Sequence, residues 1–213
     1  MESKFWHDRW EAKEIGFHEG KVNALLDRHF GALGLAPAAR IFLPLCGKTR
    51  DIAWLHGQGF HVSGAELSEI AVAELFAEME ITPRITQDGA LMRFQAEGLD
   101  IFAGDIFALD QAQLGAVDAV YDRAALVALP EEMRGQYTRH LPALTGHAPQ
   151  LLITFEYDQN VMPGPPFSIS EAYVQGQYAD TYQIKPLETA EVAGGLKGIC
   201  PADETIWHLT ARS

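Results

Sequence analysis

The sequence predicts an α/β fold, a doubly wound and mostly parallel sheet of about seven strands with helices on both faces. Three observations carry that expectation. Apolar runs of strand length alternate with amphipathic helical stretches. The run at 41–45 passes through a short loop straight into a helix. A carboxylate, Glu66, closes the next apolar run. In sheets of this kind ligands sit beyond the carboxyl ends of the strands, and a carboxylate about 20 residues past the first loop can accept both hydroxyls of a ribose. The segment IFLPLCGKTRD at 41–51 therefore points to a ligand that contains a nucleoside.

Taken in order, residues 1–36 precede the first strand. Val22, Leu25, Leu26, His29, Phe30 and Leu33 follow helical spacing and predict a helix laid across the sheet. Upstream, Phe5, Trp6, Trp10 and Phe17 are dense in aromatic rings. They serve either as core anchors or as a lid that closes over a flat ligand ring. Then come a strand at 41–45, a tight loop at 46–50, a helix opening at 51–55 and a second strand at 60–65. Ser68 is the expected N-cap of a helix whose apolar face is Val72, Leu75, Phe76 and Met79. Residues 82–98 suit a short strand, a turn at Asp88 and Gly89, and a second strand through Met92, Phe94 and Ala96.

Further strands are expected at 99–103 and 116–121. Pro130 at a first helical position leads a helix with Met133, Tyr137, Leu141 and Leu144 on one face, and 150–155 is a buried strand. The run PGPPF at 163–167 cannot be regular structure, because proline removes donors and restricts its neighbours. Ser168 and Glu171 have capping-box spacing for the helix that follows, and 182–187 and 205–210 are the last strands. With no repeat or linker, the expectation is one domain over 1–213, with 1–36 as an N-terminal lid and 37–213 as the core.

The bulk numbers exclude several classes. A net charge of −13 argues against nucleic acid and against anionic membrane surfaces, since phosphate binding needs clustered Lys and Arg. No apolar run reaches the 18 residues of a membrane span, and the N-terminus has no signal-peptide pattern. Two cysteines give neither a disulfide framework nor metal spacing, and eight scattered histidines add no metal site. The expectation is a cytoplasmic protein, monomeric, acting on a small molecule.

The first loop narrows the ligand. Nicotinamide or flavin dinucleotides call for G-x-G-x-x-G, and a Walker A loop calls for a glycine well before Lys-Thr; LCGKTR has one glycine. A cofactor with a ribose but no pyrophosphate removes the difficulty, and S-adenosylmethionine fits that description. The chain resembles the thiopurine S-methyltransferase family in its bacterial form. The resemblance rests on PLCGK at 44–48, GAELSE at 64–69, GDIF at 104–107, YDRAALVAL at 121–129, EYD at 156–158 with GPPF at 164–167, and FWHDRW with GFH near the N-terminus.

That resemblance implies a Rossmann-like methyltransferase fold, S-adenosylmethionine as methyl donor with S-adenosylhomocysteine as product, no metal, and a detoxifying transfer to heteroaromatic thiols or to selenium and tellurium species. It places Trp10, Leu45, Glu66, Asp105, Ile106 and Arg123 around the cofactor, and Gly47 in the same loop would allow the close backbone approach. Trp6, Phe17, Pro165 and Phe167 fall around the acceptor. Each role has a plainer competitor: Glu66 as a solvated carboxylate, Gly47 as a turn glycine, Asp105 as a loop cap, Arg123 paired with Asp122. Cys46 reads as packing, since no base stands beside it. Animal members carry an arginine before the final strand; GGLKGICPADE at 194–204 offers only Lys197. The competing functions are methylation of halide or small thiol ions, and cofactor binding without turnover.

Overall fold

The structure, a computed structural model, describes residues 21–212. Trp6, Trp10 and Phe17, and with them the expected aromatic lid, lie outside the described residues.

Asn23 opens the described chain as a helix cap, its side chain accepting from the amides of Leu25 and Leu26 at the head of α1 (Ala24–His29). A 3-10 turn, Phe30–Leu33, leads to β1 (Arg40–Leu43). There follow α2 (Arg50–Gly57), β2 (His61–Glu66), α3 (Glu69–Glu78), the hairpin β3 (Arg84–Asp88) and β4 (Leu91–Ala96), and β5 (Leu99–Ala103). Next are α4 (Gln111–Leu114), β6 (Ala119–Asp122), α5 (Glu131–Leu144), β7 (Gln150–Tyr157), α6 (Glu171–Tyr178), β8 (Tyr182–Glu191) and β9 (Ala202–Ala211).

Among the described residues all nine strands join one sheet, in the order β3-β4-β5-β2-β1-β6-β7-β9-β8. The count is nine, not about seven; the hairpin at 84–96 joins the sheet at the β5 edge. The five central strands, β5-β2-β1-β6-β7, are parallel. Both flanks are antiparallel. Chain direction across the sheet reverses between β1 and β6, which makes their carboxyl ends the switch point where ligands bind in doubly wound folds.

Strand alternation divides the core between two faces. Phe42, Phe102, Val120 and Leu152 meet α5 and α6 on one side. Ile41, Leu43, Ile101, Tyr121 and Leu151 meet α1, α2 and α3 on the other. Each such large apolar side chain contributes ~1.5–3 kcal/mol by leaving water, so the parallel centre is the rigid platform beneath the crevice.

Several local expectations shift. The first strand stops at Leu43, two residues early, because Leu45 turns to φ 46°. Pro130 caps α5 from outside instead of occupying its first turn. Ser170, not Ser168, caps α6, accepting from the amide of Tyr173. Ser168 instead accepts from the amide of Tyr157, tying the proline-rich segment to β7.

Candidate active site

The loop after β1 is shaped by two left-handed residues, Leu45 (φ 46°) and Gly47 (φ 52°). A leucine there costs about 1–2 kcal/mol, and surrounding structure must hold it. Part of that hold is backbone: the Cys46 amide donates to Ala65 O at 2.9 Å, stitching the loop to β2. The Cys46 side chain is buried beneath the loop. Burial, reinforced by the Glu66 charge, pushes its thiol well above the ordinary range, so it packs and does not attack.

Glu66 ends β2 and is only 6% exposed. Its Oε2 accepts from the Gly47 amide at 2.8 Å and its Oε1 from the Ser68 amide at 2.9 Å. The reading of Glu66 as a solvated surface carboxylate is thereby overturned. A buried carboxylate is costly unless donors surround it; here two amides from different loops fix its plane at the lip of the crevice. Ser68 meanwhile caps α3 by accepting from the Ala71 amide. Lys48 turns away, its Nζ at 2.7 Å from Glu74 and 2.6 Å from Glu78 on α3. A phosphate role for Lys48-Thr49 therefore has no geometric basis, as the single glycine already argued.

Beyond β5, the Gly104 amide donates to Glu66 O at 2.8 Å, so the next loop also hangs on the end of β2. Asp105 caps the 3-10 turn Ile106–Ala108 by accepting from the Phe107 amide, while remaining exposed. Ile106 is buried at 6% exposure within the core cluster beneath that loop.

On the other side of the switch point, β6 ends at Asp122 and Arg123 follows at once, half-buried. Asp122 turns into the core: it accepts from Tyr137 Oη at 2.7 Å and from the Leu126 amide at 3.2 Å. Pairing with Arg123 is thus not what occupies the Asp122 carboxylate. Burial lifts Asp122 to about 6, with those hydrogen bonds working against the rise. Ala124 at φ 75° then throws the chain sharply into the turn Leu126–Ala128.

The segment 163–169 borders the crevice from the β7 side. The Phe167 amide donates to Val127 O at 2.6 Å and the Ile169 amide to Phe155 O at 2.7 Å. Tyr157 Oη donates to Pro166 O, and Lys197 Nζ donates to Pro165 O at 2.6 Å. Prolines have no amide to contribute, so the segment is held through its carbonyls and through Phe167. Lys197 therefore meets the proline segment itself.

Two buried polar residues escaped the sequence reading. Asp51, fully buried on α2, accepts from the Asn23 amide at 2.8 Å and from Tyr121 Oη at 3.1 Å. It joins α1, the helix α2 that follows the first loop, and the strand that precedes Arg123. Arg134 on α5 is 6% exposed, donates from Nε to Leu129 O at 2.8 Å, and lies over the rings of Phe167 and Tyr173. The signal for it was present: Arg134, Tyr137 and Leu141 share one helical stripe, so the buried face of α5 includes a guanidinium.

The pieces meet at one end of the sheet. Leu45 and Gly47 after β1, Glu66 at the end of β2, Asp105 and Ile106 after β5, and Arg123 after β6 occupy the carboxyl ends of four adjacent parallel strands. Among the described residues no group of three or more His, Cys, Asp or Glu side chains is placed to hold a metal ion.

Comparison with known proteins identifies the family and the fold. A family model described as thiopurine S-methyltransferase matches residues 1–210. A protein of Xanthobacter autotrophicus named thiopurine S-methyltransferase is 60% identical over 210 residues, 98% of this chain and 99% of that protein. One of Gluconobacter oxydans with the same name is 51% identical over 206 residues, covering 97% and 94%. In fold, the chain is similar to a Burkholderia thailandensis 1,6-didemethyltoxoflavin-N1-methyltransferase. That structure holds bound 1,6-didemethyltoxoflavin and S-adenosylhomocysteine, and the match has a TM-score of 0.66 at 17% identity and covers 98% of this chain and 87% of that one. It is also similar to a Synechocystis magnesium protoporphyrin IX methyltransferase with bound S-adenosylhomocysteine (TM-score 0.61, 17% identity, covering 98% and 96%). The sheet is thus a Rossmann-like methyltransferase sheet, and the chain belongs to the thiopurine S-methyltransferase family.

Proposed function

We propose that the protein transfers the methyl group of S-adenosylmethionine to the sulfur of a heteroaromatic thiol of the thiopurine type, leaving S-adenosylhomocysteine. The observation that carries the reading is the Glu66 carboxylate. It is buried at the end of β2 and oriented by two amides, one of them from the single-glycine loop. That is an acceptor built for a ribose diol beside a loop that suits no pyrophosphate.

When bound, the cofactor supplies an electrophilic methyl on a sulfonium whose positive charge disappears as sulfur attacks. The sulfur lone pair forms the new C–S bond while the old one breaks, and the thiol proton leaves to solvent beforehand. The chain's part is to bind, orient and exclude water. Glu66 accepts from the ribose hydroxyls. The backbone at Leu45 and Gly47 cradles the methionine moiety, where a Cβ at Gly47 would crowd it. Asp105 and Ile106 border the adenine. Arg123 holds the methionine carboxylate or the anionic sulfur. Pro165 and Phe167 form a stiff wall for the acceptor ring.

Orientation alone can supply on the order of 7–11 kcal/mol in favourable cases, so this chemistry needs no catalytic dyad and no metal. The same displacement accommodates selenium and tellurium nucleophiles. The reading is of a monomer acting in the cytoplasm; no helix of the described residues is long and apolar enough to cross a membrane.

An acceptor panel tests the substrate class. With S-adenosylmethionine in excess, 6-mercaptopurine should be turned over at a kcat/KM at least about tenfold above thiocyanate, iodide or simple alkyl thiols. Preference for iodide or thiocyanate would favour halide or small-thiol methylation. Cofactor affinity without turnover of any acceptor would favour a binding module.

A further inference from the structure

Arg134 is a buried cation of an unusual kind in a chain whose net charge is −13. Only 6% of it is exposed. The ion pairs among the described residues engage Arg28, His29, Arg40, Lys48, Arg50 and Arg93, and Arg134 is not among them. Its hydrogen-bond partners are neutral, Leu129 O at 2.8 Å and the Tyr173 phenol. Its guanidinium carbon lies 5.1 Å from the Phe167 ring centroid and 5.5 Å from that of Tyr173. Aromatic faces offset part of the desolvation of a cation but do not neutralise it. A buried charge costs several kcal/mol unless it is paired.

The surroundings set the direction of that field. Tyr173 follows on α6 and Tyr157 ends β7; burial raises both phenols, and the Arg134 charge works against the rise in each. Glu131 is the acidic group of α5 that acts on Tyr173. Lys197 adds a second cation at Pro165 O. Phe167, whose ring Arg134 covers, has its amide bound to Val127 O in the turn that follows Arg123. We propose that Arg134 is a specificity determinant of the acceptor site, holding positive potential behind the Phe167 wall so that the acceptor sulfur binds as its anion. The inference rests on the function proposed above and adds a second residue, separate from Arg123 in the chain, that favours the anionic form of the substrate. Arg134 acts through Phe167 and through space, so it is a positioning residue, not a catalytic one.

Ultraviolet titration of 6-mercaptopurine bound to the whole protein with S-adenosylhomocysteine tests this. On the unmodified protein the bound thiol should ionise about one unit below the free compound, the size a single nearby charge produces. Arg134→Met should return that unit, Arg134→Lys should keep most of it, and the acid limb of kcat/KM should move with it. A merely structural anchor for Phe167 would raise KM in both variants and leave the midpoint in place, which would overturn the inference. So would a bound pKa at or above the free value on the unmodified protein, a result that needs no variant to fold. Methyl transfer that persists while the midpoint ignores Arg134 removes this inference alone. Absence of both methyl transfer and saturable 6-mercaptopurine binding on the unmodified protein removes the proposed function and this inference together.

Discussion

Glu66→Gln is the sharpest single perturbation of the proposed cofactor crevice. The native carboxylate accepts from two backbone amides on its two oxygens, Gly47 at 2.8 Å and Ser68 at 2.9 Å. An amide side chain has one oxygen and one NH2, so whichever way it flips, one of those amides faces a donor. Leaving one buried N–H unpaired costs ~1–3 kcal/mol, or ~2–4 °C of melting temperature per kcal/mol for a chain of this size. For the ligand, one charge-assisted acceptor is lost from the ribose diol, worth ~1.5–3 kcal/mol, which is ~10–150-fold in affinity. Calorimetry with S-adenosylhomocysteine and with its 2′,3′-dideoxy analogue separates the two effects. If Glu66 grips the diol, the variant loses affinity for the natural ligand and almost none for the dideoxy analogue. Equal losses for both ligands, or an unchanged affinity in a folded variant, would refute the reasoning.

Two other perturbations probe the frame that holds the site. A Cβ at Gly64 would meet Cys46 Sγ at 2.8 Å, Ile101 Cδ1 at 3.0 Å and Leu43 O at 3.3 Å; Gly64→Ala should therefore cost ~1–3 kcal/mol and weaken cofactor binding, because the displaced atoms carry the loop. An unchanged denaturant midpoint would contradict that. Asp122 is lifted by burial from an ordinary 3.8 to about 6, so the folded protein holds this proton more tightly than the unfolded chain does. Its stabilising share is full below about pH 4 and is lost as pH rises through about 6. Between about pH 4.5 and 7.5 the unmodified protein should lose ~2 kcal/mol relative to Asp122→Asn, read by denaturant unfolding at the two pH values; parallel curves would show that Asp122 does not titrate in this way.

What was legible in the sequence is what physics encodes locally. Alternation placed Ile41 and Leu43 on one face and Phe42 on the other, the spacing from Ser68 fixed the head of α3, and Asp88 with Gly89 marked the β3–β4 hairpin. The crevice followed from strand ends, since Glu66 closes an apolar run and folds back to the Gly47 amide nineteen positions earlier. What escaped depends on partners distant in sequence. Ser168 has the spacing of a cap, yet its partner is the Tyr157 amide, eleven residues back. Asp122 is adjacent to Arg123 in the chain but bonds Tyr137, fifteen residues on, because β6 and α5 are brought face to face only in the folded core. Arg134 was hidden for the same reason: its stripe on α5 is readable, but the rings it covers come from two later segments.

The central claim, that this crevice joins S-adenosylmethionine to a sulfur acceptor, is tested most directly by methyl transfer from the labelled cofactor to 6-mercaptopurine. The account predicts label on the purine sulfur, stoichiometric S-adenosylhomocysteine, and at least about a tenfold fall in kcat/KM when Arg123 is replaced by Ala in a folded variant. Unlabelled 6-mercaptopurine from a protein that binds the cofactor, or kinetics unaffected by Arg123→Ala, would contradict it.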